Sequence, residues 1–239
     1  QTGDKQQTPL PWVNIIANPT FGTLVSESGS SYTWFENAYE FRLSPWHNDP
    51  VIDGSGEAFY MRDEETGTFW SPMPYPVNNG SYITRHGFGY TTIEHHEEGI
   101  HSLVTLYVDL EASIKFITIK LHNTSGRSRK LSATGYVEWV LGSQRPKSSF
   151  HVITELEGNT GALMARNPYN SEFSNRVTFL DVDDSKFEYT SDRTEFLGRH
   201  GTMRHPDAMT RVHLSGKTGA CLDPCAALRV EFELENNSE

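Results

Sequence analysis

The feature that most constrains this chain is a series of short runs in which apolar and polar residues alternate. A period of two places successive side chains on opposite faces of a strand, so each run predicts a strand with one buried side. Ten runs alternate in this way or are rich in β-branched and aromatic residues: 13–17, 57–62, 88–96, 100–110, 113–122, 131–141, 150–156, 162–166, 176–182 and 227–234. Many short strands without a long helical period predict an all-β fold of two packed antiparallel sheets with at least ten strands.

The run 131–141 shows the alternation most clearly. Its two faces carry different sets of residues: Leu131, Ala133, Val137 and Trp139 on one, and Ser132, Thr134, Tyr136 and Glu138 on the other. We expect the first face to be buried and the second to look outward. Turn-forming pairs such as Asn79-Gly80 and Ser125-Gly126 separate neighbouring runs. One helical turn is predicted within 203–211.

The totals exclude several classes of function. The chain has 239 residues, two cysteines and a formal net charge of -11. This acidic balance opposes binding to nucleic acid and to anionic lipid, whereas neutral sugars meet no such penalty. No apolar run approaches the ~20 residues that span a membrane, so no direct insertion is expected.

The ends of the chain differ from its middle. Residues 1–8 are polar and predict a linker, 9–234 predict a single domain, and 235–239 predict a polar tail. The first residues carry no apolar signal core, and we expect the chain to be a segment of a larger protein. Cys221 and Cys225 lie close together and are expected to be reduced thiols rather than a local disulfide.

The segment 18–70 is polar and aromatic, and outside the run 57–62 it is poor in regular alternation, so it is predicted as a long loop. Long ordered loops usually carry a function. Aromatic rings stack on pyranose faces, while amide, carboxylate and guanidinium groups bond their hydroxyls. The predicted carbohydrate-facing residues, within 32–53, are Trp34, Asn37, Arg42, Trp46, Asn48 and Asp49. The alternative is that the large rings only plug the end of the sandwich.

Other catalytic chemistries find little support. Gln144 and Arg145 follow a predicted strand and form a secondary candidate for meeting an oxyanion or phosphate, although a solvated loop cation is the simpler interpretation. His95 and His96 are adjacent in a strand and point to opposite faces, so no metal site is expected. The sequence lacks a Gly-x-Ser-x-Gly elbow and a phosphate-binding glycine loop, and it implies no cofactor. With 31 acidic residues, carboxylates alone do not identify a glycosidase.

A set of motifs rich in uncommon residues runs along the chain. They include Ser26-Glu27-Ser28-Gly29, Pro45-Trp46-x-Asn48-Asp49-Pro50, Gly56-Glu57-Ala58, Tyr60-x-Arg62-Asp63, Phe69-Trp70-Ser71-Pro72, Ala165-Arg166-Asn167-Pro168-Tyr169 and Asp192-Arg193-x-x-Phe196-Leu197-Gly198-Arg199. In these motifs the chain resembles the N-terminal β-sandwich of glycoside hydrolase family 94, formerly glycosyltransferase family 36. The resemblance covers nearly the whole sequence, and the stretches around Trp139 and Tyr169 are most similar to the phosphorylase-like region of cyclic β-1,2-glucan synthases.

This resemblance implies a galactose mutarotase-like supersandwich and a reaction in which phosphate attacks a β-glucoside with inversion. In the family the general acid lies on a helical (α/α) barrel that follows the sandwich, so we expect no catalytic residue here. The implied partners are a β-glucan and that catalytic barrel, with a homodimer as a further expectation. The implied location is the cytoplasm, as part of an inner-membrane protein.

Three functions therefore remain open. The first is a non-catalytic sandwich that shapes the glucan site of a phosphorylase-type enzyme and docks on its barrel. The second is a free-standing carbohydrate-binding module. The third is a mutarotase-like sugar epimerase, which needs a general base and a general acid, usually a carboxylate and a histidine, in one cleft. Fold alone does not separate them.

Overall fold

The computed structural model describes residues 8–239, and nearly all of its regular structure is antiparallel β-sheet. In this range the strands are β1 (Val13–Ala17), β2 (Phe21–Ser26), β3 (Ser31–Phe35), β4 (Glu57–Asp63), β5 (Phe69–Trp70), β6 (Tyr82–Gly87), β7 (Tyr90–Glu97), β8 (Ile100–Val108), β9 (Lys115–Asn123), β10 (Arg129–Glu138), β11 (Ile153–Leu156), β12 (Leu163–Arg166), β13 (Thr178–Leu180), β14 (Glu188–Asp192) and β15 (Pro224–Leu234). The helices are α1 (Arg145–Ser148) and α2 (Arg193–Leu197), with 3-10 turns at Ser149–His151 and Asp207–Met209. The predicted all-β class is confirmed.

The strands form four sheets. We call them the N-terminal sheet (β1-β2-β3), the hairpin sheet (β6-β7-β8-β9), the central sheet (β14-β15-β10-β4-β5) and the small sheet (β11-β12-β13). Residues 41–44 join the N-terminal sheet to the central sheet. The Leu43 N–H donates to the Thr33 carbonyl at 2.8 Å, and the Leu43 carbonyl accepts from the Val140 N–H at 2.9 Å. These bonds form a hydrogen-bonded seam between β3 and the segment that follows β10.

The main core lies between the sheets. It contains Val25 of the N-terminal sheet, Val104 and Leu106 of the hairpin sheet, and Ala226 and Leu228 of the central sheet. Each is nearly or fully buried. Burial of a Val or Leu side chain contributes about 1.5–3 kcal/mol. This shared core holds the layers together and agrees with the supersandwich prediction.

The prediction that one face of 131–141 looks outward was wrong. Ser132, Thr134 and Tyr136 of β10 are as buried as the opposite face. The Tyr136 ring stacks on Phe196 of α2 at 4.4 Å, and Met209 belongs to the same buried cluster. The cover comes from residues 193–214, which are distant in sequence, so the pattern of β10 alone cannot reveal it. The predicted turn within 203–211 corresponds to the 3-10 turn Asp207–Met209.

The prediction of one long loop over 18–70 was also wrong. Besides β4, which the run 57–62 predicted, the segment contains β2, β3 and β5. Most residues of β2 are buried on both faces, which removes the polar half of the alternation that signals a strand. The loop that remains runs from 36 to 56, between β3 and β4.

The two chain ends are described unequally. The predicted linker 1–8 lies outside the described residues except for Thr8, whose hydroxyl donates to Glu27 Oε1 at 2.5 Å. In the tail, the Asn237 N–H donates to the Asn123 carbonyl at 2.7 Å, and the Asn123 N–H donates to the Ser238 carbonyl at 3.1 Å. Across residues 8–239, no helix has the length and apolar character needed to cross a membrane.

Candidate functional site

The outer face of the N-terminal sheet is apolar and aromatic. Strand register places Ile15, Leu24 and Tyr32 side by side, and it places Trp34 opposite Gly22. A Cβ atom at Gly22 would lie 2.4 Å from the Trp34 ring. Glycine at position 22 therefore leaves room for the Trp34 indole. Glycine often occurs in strands at places where another group approaches the backbone closely.

Three aromatic rings form a row on this face. Trp46, from the loop 36–56, stacks on Tyr32 with ring centroids 4.8 Å apart and an interplanar angle of 3°. Tyr32 also contacts Trp34, with centroids 5.2 Å apart. Tyr32 is buried beneath its neighbours, whereas Trp46 is partly exposed. Burial raises the pKa of the Tyr32 hydroxyl, and the nearby Arg42 charge opposes that rise.

Short-range hydrogen bonds shape the loop 36–56. Asn37 Oδ1 accepts from the N–H groups of Tyr39 at 2.9 Å and Glu40 at 3.0 Å. Arg42 Nη1 donates to the Trp46 carbonyl at 3.4 Å, and its guanidinium lies 5.2 Å from the Tyr39 ring centroid. Asn37 and Arg42 thus hold the loop in shape, in the manner of Asx-turns and cation–π contacts.

A groove with a volume of about 490 Å³ lies beside Trp46. Its lining consists of Leu10, Pro11, Val13, Leu24, Ser30, Ser31, Trp46, Asn48, Asp49, Pro50, Asp53 and Gly54. Asp49 Oδ1 accepts from the N–H groups of Val51 at 2.8 Å and Ile52 at 3.2 Å, which fixes the turn that forms one rim. Asn48 is exposed and has a φ of 49°, in the left-handed region. Volumes of about 300–1,000 Å³ are usual for small-molecule sites.

Asp53 is the groove residue that sequence analysis missed. Its Oδ2 accepts from the hydroxyls of Ser26 at 2.7 Å and Ser28 at 2.5 Å, and its φ of 44° is unusual for a residue with a side chain. Burial raises the pKa of the Asp53 carboxyl, while the two serine hydroxyls lower it. The Ser26-Glu27-Ser28-Gly29 motif supplies these hydroxyls and was the available signal, although their distance in sequence from Asp53 hid the connection.

The predicted site residues therefore fall into three groups. Trp46, Asn48 and Asp49 line the groove, and Trp34 lies on the same face of the sheet. Asn37 and Arg42 form the frame of the loop. The secondary pair lies outside the groove lining: Gln144 caps α1, and Arg145 is its first residue.

Arg145 belongs to a cluster of four charges. It forms an ion pair with Glu138 at 2.6 Å and another with Asp223. Arg193 contacts the same two carboxylates, at 2.8 Å and 3.2 Å. Arg145 is thus neutralised by protein carboxylates, which argues against its prediction as an oxyanion or phosphate ligand and against a freely solvated cation.

Glu57 is a buried carboxylate in the interior, close to the N-terminal sheet. Oε1 accepts from Thr33 at 2.7 Å and Ser44 at 2.5 Å, while Oε2 accepts from Ser31 at 2.7 Å and Lys115 Nζ at 2.6 Å. Burial opposes the charge, but Lys115 and the hydroxyls prevail and lower the pKa of Glu57 to about 2. Glu57 borders an open pocket of about 180 Å³ beside the main core. An ionised, fully bonded carboxylate cannot act as a general acid near neutral pH, so Glu57 is a structural clamp.

The remaining candidate chemistries involve metal ligands, the histidine pair and the two cysteines. Within residues 8–239, no three His, Cys, Asp or Glu side chains are grouped to hold a metal ion. His95 is buried and stacks on Tyr82 at 3.9 Å, whereas His96 is exposed, so the prediction of opposite faces is confirmed. Cys221 is an exposed free thiol and Cys225 a buried one, and burial raises the pKa of the Cys225 thiol.

Comparison with known proteins gives consistent matches over this fold. The curated relatives include the cyclic beta-(1,2)-glucan synthase NdvB of Rhizobium meliloti, which is 36% identical over 98% of this chain. They also include the N,N'-diacetylchitobiose phosphorylase of Vibrio furnissii, 26% identical over 97% of the chain, and the solabiose phosphorylase of Paenibacillus borealis, 29% identical over 98%.

The chain accounts for only part of each relative's length. It covers 8% of the glucan synthase, 30% of the chitobiose phosphorylase and 31% of the solabiose phosphorylase. The family model of the glycosyl hydrolase 94 supersandwich domain matches residues 1–239. With the antiparallel sandwich and this whole-length match together, the chain belongs to glycosyl hydrolase family 94, as its supersandwich domain.

Proposed function

We propose that this domain is a non-catalytic part of a β-glucan-active, phosphorylase-type enzyme and that its groove binds the glucan. The single observation that carries the proposal is the placement of Trp46. Its ring is stacked on Tyr32, stays partly exposed and borders a groove with polar groups from Asn48, Asp49 and Asp53. An aromatic plane beside convergent hydrogen-bonding groups is the composition expected of a sugar site.

The same region supports docking on a catalytic barrel elsewhere in the parent protein. Apolar side chains around the groove are strongly exposed: Leu10, Val13, Ile15, Val51 and Ile52, between 48% and 90%. Clustered exposed apolar residues mark interaction surfaces. The relatives have at least two thirds of their length beyond this region, which gives such a surface a partner of suitable size. A second copy of the chain on this surface, and a cytoplasmic location, remain predictions.

The proposal excludes catalysis by the isolated domain. The part of the groove lining that the structure describes contains two carboxylates and no histidine, so these residues do not provide the carboxylate–histidine pair of a mutarotase site. We expect the purified domain to release no sugar 1-phosphate from β-1,2-glucan or cellobiose and to show no mutarotation of free sugars. Turnover of either kind, proportional to domain concentration, would contradict the proposal. Glucan binding by a protein that proves to lack a barrel would instead favour a free-standing binding module.

The test of the groove is Trp46→Ala in the full-length enzyme. Loss of ring stacking, taken as about 0.5–1.5 kcal/mol by analogy with aromatic pairs, should lower kcat/KM for glucan by about 2- to 13-fold. Trp46→Phe, which keeps a ring over Tyr32, should recover most of the activity. Trp12→Ala is the matched control, because Trp12 is 70% exposed and lies outside the groove lining.

Thermal unfolding of each variant separates binding from packing. If Trp46→Ala lowers the Tm while kcat/KM at a permissive temperature equals that of the wild type, the ring is a plug and the binding proposal fails. The proposal also fails if Trp12→Ala and Trp46→Ala reduce kcat/KM equally.

A further inference from the structure

The groove is acidic on one side, and among residues 8–239 no cationic residue belongs to its lining. Asp49 and Asp53 are its charged lining residues. Arg42 bonds the Trp46 backbone but does not line the groove. A carboxylate accepts hydrogen bonds from sugar hydroxyls, yet it repels a second carboxylate at short range, and this repulsion grows as water is excluded.

Asp53 is held more firmly than an ordinary loop carboxylate. The hydroxyls of Ser26 and Ser28 both donate to Oδ2, and the Asp53 N–H donates to the Asp49 carbonyl at 2.8 Å. Among the contacts of residues 8–239, Oδ1 of Asp53 receives no protein donor, which leaves it available to a ligand. The left-handed φ of 44° at Asp53 is a local strain of the kind found at ligand clamps.

We propose that Asp53 is the specificity-determining residue of this groove, accepting a hydroxyl of a neutral glucose unit and excluding sugars that carry a carboxylate, such as uronic or aldonic acids. This inference rests on the proposed glucan binding and goes beyond it by naming the ligand class that the groove rejects. Asp49 contributes to the same negative field but is already committed to its turn through Oδ1.

The test compares two probes by isothermal titration calorimetry with the full-length enzyme. One probe is a β-1,2-linked glucose oligosaccharide, and the other is the same oligosaccharide with one glucose oxidised to glucuronic acid. The wild type should prefer the neutral probe by at least about tenfold, because two charges a few ångströms apart repel strongly. Asp53→Asn keeps an acceptor oxygen for the serine hydroxyls, so it should weaken the affinity for the neutral probe only a few-fold. It should reduce the preference for the neutral over the acidic probe severalfold. High salt should reduce the wild-type preference by screening.

The control is Asp184→Asn, which removes the same charge from an exposed position outside the groove lining. It should leave the preference unchanged. If Asp53→Asn keeps the wild-type preference for the neutral probe, while binding of that probe still depends on Trp46, this inference is overturned and the proposed function stays intact. If the wild type prefers the acidic probe, the inference is also overturned. If binding of the neutral probe does not depend on Trp46, the proposed function and this inference both fail.

Discussion

The buried carboxylate Glu57 provides the most quantitative prediction. It connects β3, residue 44, β4 and β9 through its bonds to Thr33, Ser44 and Lys115, and both charged side chains are at least 92% buried. Removal of one partner from a buried ion pair leaves the other charge uncompensated and costs about 3–5 kcal/mol. We therefore expect Glu57→Gln to lower the free energy of unfolding at pH 7 by about 3–5 kcal/mol.

The pKa of Glu57 gives an independent magnitude. Its fall from an ordinary value of 4.5 to about 2 corresponds to about 3 kcal/mol, at about 1.36 kcal/mol for each pH unit. Because the folded-state pKa is depressed, the stabilisation is fully present above about pH 4.5 and is lost as the pH falls through about 2. The stability of the wild type should therefore fall more steeply over this range than that of Glu57→Gln.

The assay is urea denaturation of both proteins at several pH values, with the slope m checked for constancy. The corresponding decrease in Tm is about 6–20 °C for a domain of this size. Glu94→Gln is the matched control: it removes a strand carboxylate from the partly exposed Arg85–Glu94 pair at 2.7 Å and should cost at most about 1 kcal/mol. Adding Lys115→Met to Glu57→Gln should recover part of the loss. A cost below about 1 kcal/mol for Glu57→Gln, or parallel pH profiles, would refute the clamp.

Two further predictions concern other parts of the fold. In the native protein, Cys221 should react with a thiol reagent quickly and Cys225 only after unfolding, because Cys225 is buried and its pKa is raised; Cys221→Ser should abolish the fast phase, and a fast phase that persists in this variant would contradict the assignment. Arg229→Met should destabilise the protein by about 3 kcal/mol or more and speed proteolysis within 198–216, because the buried guanidinium bonds the carbonyls of Ala208, Arg211 and Val212; equal protease resistance of wild type and variant would show that these bonds do not hold the segment.

The sequence predicts most reliably the strands that have one solvent-exposed face. The runs 100–110 and 113–122 correspond closely to β8 and β9, whose residues alternate between the core and solvent. β2 was missed because it has no solvent face to mark its period. The burial of the second face of β10 was missed because the residues that cover it, within 193–214, are distant in sequence. Periodicity reports local exposure, and it fails where tertiary contacts bury both faces.

The candidate site shows the same division between features set by local sequence and features set by contacts distant in sequence. Trp46, Asn48 and Asp49 were predicted from a local cluster of ring and turn chemistry, and the groove does contain them. Asp53 could not be predicted, because its role depends on hydroxyls 25 and 27 residues away. The ion pair of Arg145 with Asp223 could not be predicted for a similar reason, since Asp223 lies 78 residues further along the chain.

The bridge between Trp46 and Ser55 has a consequence for how this surface can diversify. It closes residues 47–54 into a short loop whose base is fixed: the Ser55 hydroxyl donates to the Ser31 carbonyl at 2.5 Å and accepts from the Ser31 N–H at 3.1 Å. Asp53 is a second anchor, because its carboxylate accepts from Ser26 of β2. We therefore expect changes of length or residue type at 47–52 to leave the sheets untouched and changes at Asp53 or Ser55 to disturb them.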